Sequence, residues 1–234
     1  LVTVLGWFSG QAARAATPNI VVIYADDLGY GDVQCYNPDR GKIPTPQIDR
    51  LAAQGMRFTD AHSSSGVCSP SRYTLLTGRY HWRTRLQAGI VNLWEKPLIP
   101  ADRLTIGGLA KQHGYRTACI GKWHVGLTFF DADGNAINRN GLEAVQRVDY
   151  SRAIPDGPLQ HGFDHFFGTA CCPTTDWLYA WIDGDRIPNP PTGIVDRTPL
   201  PKHPYSRDNR PGMIADDFDL EEVDLVFLEK SRQF

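Results

Sequence analysis

Apolar residues come along this chain in two patterns, unbroken and periodic, and the two alternate. Residues 20–25, IVVIYA, form an unbroken run rich in β-branched side chains that ends in Asp26-Asp27 and is broken by Gly29 and Gly31. Such a run predicts a strand buried on both faces, as in a parallel sheet. TPQIDRLAAQG changes the period. Ile48, Leu51 and Ala52 recur at helical spacing behind Thr45 as N-cap and Pro46 at the first helical position, with Gly55 as the stop. Ser69-Pro70 opens a second helix through Thr77, closed by Gly78, which leaves Cys68 just outside its N-terminus. Residues 106–113 predict a third helix, stopped by Gly114. RTACIGKWH reads as a second core strand ending in Lys122-Trp123-His124, and MRFTDAH at 56–62 carries a weaker strand signal. Near the far end, Asp219 with Glu222 resembles a capping box ahead of Val223, Val226 and Phe227 at helical spacing.

Strand alternating with helix predicts an α/β fold with a mostly parallel central sheet flanked by helices. Residues 125–215 depart from it. They are rich in Gly, Pro, Asn and Asp, with PNPPTG at 188–193, and read as long loops with short elements. The aromatics of HGFDHFFG at 161–168 are expected to pack on the core.

Residues 1–16, LVTVLGWFSGQAARAA, read as the tail of a secretory signal peptide with Ala13-Arg14-Ala15 in the A-x-A position. The expected location is therefore exported, periplasmic or secreted. The apolar part is too short and interrupted for stable membrane insertion. The first residue is leucine and no stop signal closes the last helix, so the sequence reads as a fragment.

Length and composition add bounds. The 234 residues, 41 % hydrophobic, suit one domain or a large part of one. Lys and Arg total 24 against 26 Asp and Glu, a net charge of −2, and no basic run stands out. A nucleic-acid partner is not expected. Five cysteines, an odd number, leave at least one unpaired in an exported protein, and their spacing matches no zinc pattern. Cys171-Cys172 are adjacent and their pairing stays open.

Three stretches carry chemistry. In VCSPSR, free N–H groups and the helix dipole make the neighbourhood of Cys68 a place for an anion or a thiolate. Arg72, one turn in, adds a planar fork of donors. The set suits an oxyanion such as sulfate or phosphate beside a nucleophile; on its own the stretch also reads as a core cysteine at a helix start. Asp26-Asp27 repel each other at a strand end unless a cation lies between them, and oxygen ligands imply Ca²⁺ or Mg²⁺. A turn pair is the competing reading. Alternation puts Lys122 and His124 on one side, where a snorkelling lysine and a core histidine would be the plain alternative. Both strand ends fall where open α/β sheets bind ligands.

Cys68, Pro70, Ser71 and Arg72, followed by YTLLTGR, resemble the signature of the sulfatase family. Asp26-Asp27 and Gly121-Lys122-Trp123-His124 resemble further parts of the family's site, and the resemblance runs from about residue 18 to at least 168. It implies an alkaline-phosphatase-like sandwich, with 17–234 as the N-terminal part of a sulfatase catalytic domain. It implies a sulfuric ester hydrolase, arylsulfatase-like, in which a formylglycine-generating enzyme converts Cys68 to an aldehyde. Asp26, Asp27 and residue 68 would hold Ca²⁺ or Mg²⁺. Lys122 would contact the sulfate, and His124 would act on the formylglycine as base. Arg72 and Lys122 would offset negative charge. In that scheme one hydroxyl of the hydrated aldehyde attacks sulfur. His124 then takes the proton of the second, and sulfate is expelled. The substrate would be a sulfated small molecule or polysaccharide.

The family's later Asp-Asn pair, histidine and lysine find no match. Asp208-Asn209 reads as a turn and Asp216-Asp217 as a decoy, so this chain alone is expected to be inactive or weak. His62, His81, His113 and His161 carry no assigned role. Two alternatives stay open: a phosphodiesterase or phosphonate hydrolase of the same superfamily, and a non-catalytic exported carbohydrate-binding protein whose CCPTTDWLYAWIDG stretch stacks on sugars.

Overall fold

In the computed structural model, β1 (Ala118–Lys122) and β2 (His165–Thr169) run parallel, with Cys119 opposite Phe166 and Lys122 opposite Thr169. The structure describes residues 17–196, 198 and 211–234; the signal-like segment 1–16 and Asp208-Asn209 lie outside them. β3 (Leu178–Tyr179) and β4 (Ile182–Asp183) follow in the chain, and β4 pairs antiparallel with β2 to give the order β1-β2-β4. β5 (Gly193–Ile194) and β6 (Met213–Ile214) join β3 in a second sheet of order β3-β6-β5. These short strands lie in the region whose composition predicts loops with short elements. The α/β class expected from the alternation is the class observed.

β1 and β2 approach closely because glycine faces glycine. Gly121 pairs with Gly168, and a Cβ built on Gly168 would collide with the Gly121 carbonyl. Gly121 also carries φ 119°, a conformation that L side chains rarely adopt. Behind the strands, Trp123 is buried edge-on to Phe163 and Phe166, and its indole N–H donates to the Gly126 carbonyl at 3.2 Å. The 161–168 aromatics thus pack on the core as expected. Each such ring removes enough apolar surface from water to contribute about 2–3 kcal/mol.

The helices follow the sequence signals closely, with differences at their ends. α1 (Pro46–Gln54) has Thr45 as N-cap and Gly55 as C-cap. Its apolar stripe is not buried: Ile48 and Leu51 stay exposed. α2 (Cys68–Thr77) begins two residues before the expected start, with Val67 as N-cap, so Cys68 is the first helical residue rather than outside the helix. Ser69 does not cap, because its hydroxyl accepts instead from the Val91 N–H at 3.0 Å. Gly78 closes α2 at φ 63°. α3 (Ile106–Gln112) is capped by the Thr105 hydroxyl, which accepts from the Gly108 N–H at 3.0 Å. α4 (Leu142–Arg147) is short. α5 (Val223–Gln233) starts after Glu222, later than the capping-box reading, because the Asp219 carboxylate is used in the preceding turn, accepting from the Glu221 N–H at 2.8 Å.

The largest departure is residues 20–25. They run extended toward Asp26 but form no ladder among the described residues, and Val21 and Ile23 are 80 % and 86 % exposed. An apolar β-branched run encodes a preference for burial in a sheet, but a strand exists only where a neighbour supplies hydrogen-bond partners. Residues 56–62 likewise form no strand.

The amino ends of β1 and β2 are tied by one carboxylate. Asp164 accepts from the Thr117 N–H at 3.0 Å and the Thr117 hydroxyl at 3.1 Å, and pairs with Lys111 at 2.6 Å. The Lys111 hydrogen bond, then the Thr117 N–H, hold its pKa down at about 2. A carboxylate depressed on folding stabilises above its unfolded pKa, about 4, and that stabilisation disappears as pH falls toward the folded value. Urea midpoints are therefore expected to drop between pH 4 and about 2, and Asp164→Asn is expected to flatten that part of the profile. A variant with an unchanged acid slope would show that the contact does not contribute.

Candidate active site

The carboxyl end of β1, the N-terminus of α2 and the segment after β2 meet at one edge of the sheet. The β1–β2 pairing continues past the strands: the Trp123 and His124 N–H groups donate to the Thr169 and Ala170 carbonyls, both at 3.0 Å. This carries Lys122, His124, Cys171 and Cys172 to the same edge. His124 then leaves the strand with φ 53°. Asp27 has φ 58°, and these two are the only described non-glycine residues with positive φ. Each costs about 1–3 kcal/mol and persists only where its surroundings enforce it, which is common at functional sites.

Lys122 and Arg72 converge on Asp26. The Lys122 ammonium lies 2.6 Å and the Arg72 guanidinium 3.3 Å from the same Asp26 oxygen, and Arg72 also donates to the Lys122 carbonyl at 2.6 Å. The Arg72 Nε–H is buried and has no partner among the described residues. An unpaired buried donor costs about 1–3 kcal/mol, a cost removed by an anion bound in its reach. Burial disfavours the Lys122 ammonium, but the Cys172 sulfur and the Asp26 carboxylate outweigh it and raise its pKa.

Cys68 stands at the start of α2. Its sulfur, the Cys172 sulfur and a ring nitrogen of His124 all lie within 4.8 Å of one another. His124 is fully buried, and its Nδ1 is 3.9 Å from the Cys172 sulfur. Facing the Cys172 sulfur, together with burial, pushes the Cys68 pKa up, whereas the neighbouring Cys68, His124 and Lys122 pull that of Cys172 down. The Ser69 N–H faces the Cys68 sulfur, as a helix N-terminus should.

A cavity of 320 Å³ opens here, lined by Asp26, Asp27, Lys122 and Cys172 and also by Glu221 and, from α5, Asp224. The six residues singled out from sequence, Asp26, Asp27, Cys68, Arg72, Lys122 and His124, are thus connected through direct contacts or this shared cavity. Asp27 makes no ion pair among the described residues, and the adjacent oxygen donors of Asp26 and Asp27 suit a hard divalent cation.

The residue that sequence reasoning missed is Cys172. The signal was present: it closely follows an apolar run that becomes β2, parallel to β1, so both carboxyl ends lie at one edge. Cys171 does not share the site. It is buried in the core, and burial drives its thiol pKa well up. Asp216 and Asp217, set aside in the sequence, bond Thr192 and Asn189.

The profile of the sulfatase family matches residues 18–181 of this chain. The chain is 46 % identical over 140 residues to an N-acetylgalactosamine-6-O-sulfatase of Bacteroides thetaiotaomicron, covering 59 % of this chain and 26 % of that protein. It is 43 % identical over 115 residues to human arylsulfatase A, covering 49 % and 22 %. A solved structure from work on the metabolism of multiple glycosaminoglycans by Bacteroides thetaiotaomicron superposes with a TM-score of 0.71 at 27 % identity, over 93 % of this chain and 47 % of that one. The chain spans about a quarter of the length of the curated relatives it matches.

Proposed function

This chain belongs to the sulfatase family, and from that premise we propose that the protein hydrolyses sulfate esters at the cavity between the carboxyl end of β1 and the N-terminus of α2. The observation that supports this most is the buried Arg72 Nε–H, left without a partner among the described residues, beside Lys122 and the helix start. A sulfate group presents oxygens that would accept from all three. The family membership supports an alkaline-phosphatase-like α/β architecture around them.

Each residue has a role that follows from its place. Lys122 and Arg72 hold the sulfate oxygens and offset charge that develops on them in the transition state. Asp26 orients both cations through the contacts at 2.6 and 3.3 Å. Asp26 and Asp27, with residue 68, would hold Ca²⁺ or Mg²⁺, which when bound polarises the sulfate ester and lowers the pKa of a coordinated hydroxyl. Cys68 is the residue converted by a formylglycine-generating enzyme, which supplies an aldehyde whose hydrate is a nucleophile with two hydroxyls. A ring nitrogen of His124 lies within 4.8 Å of the Cys68 sulfur, which makes it the candidate base for a proton of the hydrated residue. The substrate class is a sulfated carbohydrate or a smaller sulfate ester, consistent with the galactosamine sulfatase among the relatives. Export to the periplasm or outside the cell fits that substrate.

The test is a paired one on the protein co-expressed with the maturation enzyme. Mass analysis is expected to show the Cys68 peptide about 18 Da lighter, the arithmetic of replacing CH₂SH by CHO. Aryl sulfate is expected to turn over faster than aryl phosphodiester. Faster phosphodiester cleavage would move the activity to the neighbouring hydrolase class, and an unmodified Cys68 with no turnover would reduce the site to a binding surface.

A further inference from the structure

The feature that the proposed mechanism leaves unused is Cys172. Its sulfur lies within 4.8 Å of the Cys68 sulfur, beside His124 and Lys122, and it lines the open cavity. Of the other cysteines, Cys171 is buried in the core, and none joins Cys68 and His124 in this cluster. The arrangement places two thiols side by side where solvent and small molecules reach one of them. A disulfide needs an S–S distance of about 2.05 Å, so the two sulfurs must move together from a present separation within 4.8 Å.

We propose that Cys68 and Cys172, where Cys68 remains a thiol, close a reversible disulfide at the mouth of the site. The oxidant is a small disulfide of the glutathione class, RSSR. The Cys172 thiolate attacks one of its sulfurs and one RS⁻ leaves, forming a mixed disulfide. Cys68 gives its thiol proton to the departing RS⁻. Its sulfur then attacks the Cys172 sulfur and expels the second RS⁻, which takes up the proton that Cys172 released to solvent on forming its thiolate. The two cysteines lose two electrons and two protons in all, and RSSR becomes two RSH. Reduction returns both thiols. Cys171 cannot substitute, because it faces the core.

The experiment uses the full protein expressed without the maturation enzyme, so that Cys68 stays a thiol. It is equilibrated with mixtures of reduced and oxidised glutathione, alkylated and digested with trypsin. The expected product at the oxidised end is the Cys68 peptide joined to the Cys172 peptide, lighter by two hydrogens than the pair and separated again by dithiothreitol. Cys171→Ser is expected to keep the link and Cys172→Ser to lose it. Both thiols alkylated at every glutathione ratio, or a link that survives Cys172→Ser, would overturn the proposal.

Discussion

Cys68→Ser is expected to abolish sulfate ester turnover while leaving the fold intact. Serine matches cysteine in size at this half-buried position at the start of α2, so the melting temperature should move by no more than about 2 °C. The chemistry differs by one hydroxyl. A serine oxygen near Lys122 and Arg72 retains a nucleophile and its anion-binding surroundings, but it cannot carry the second hydroxyl whose proton His124 would remove. A sulfate group captured on residue 68 would then stay there. The measurement is phenol release from an aryl sulfate by the matured protein and the variant at matched melting temperatures. Loss of a residue that forms a covalent bond to the transferred group commonly lowers kcat/KM by about 10⁴-fold or more, and a burst of at most one product per protein is the expected signature. Steady turnover within tenfold of the parent would show that residue 68 is not the nucleophile.

The largest structural effect is expected from Gly168→Ala. The added methyl would collide with the carbonyl oxygen of Gly121 on the paired strand, a rigid backbone atom with no side chain to give way. Relief requires β1 and β2 to separate, which breaks the ladder that runs on through the Trp123 and His124 N–H groups. The expected loss is about 3 kcal/mol or more, in the range of strongly overpacked or strained sites. Activity should fall with it, because Lys122 and His124 are held at the end of β1 by that ladder. Thermal unfolding and the soluble yield check the prediction. A melting temperature equal to the parent's would mean that the strands approach less closely than the structure shows.

The motifs were legible because each is a local requirement. A helix start announces itself through Pro70 and Gly78, and the second core strand through RTACIGKWH, now β1 ending at Lys122. The pairing of Asp26 with Lys122 and Arg72 was only implied, through the expectation that strand ends converge. Two errors share one cause. Ser69-Pro70 predicts a helix start with the serine as its cap, but the Ser69 hydroxyl is taken by the Val91 N–H, a partner 22 positions away. Residues 20–25 were read as a buried strand, and they stay exposed among the described residues. Both outcomes depend on partners that local pattern does not contain.

By itself the sequence determined which short stretches are candidates for chemistry and which short segments take helical or extended form, since spacing, capping and breaker residues act within a few positions. Only the tertiary structure decided that Cys172 stands beside Cys68 and His124, that Gly121 and Gly168 must lack side chains, and that Asp26 is shared by two cations. These depend on contacts between segments 46–104 residues apart. Through-space proximity follows from how parallel strands register and where their ends fall, and no local rule of propensity encodes it.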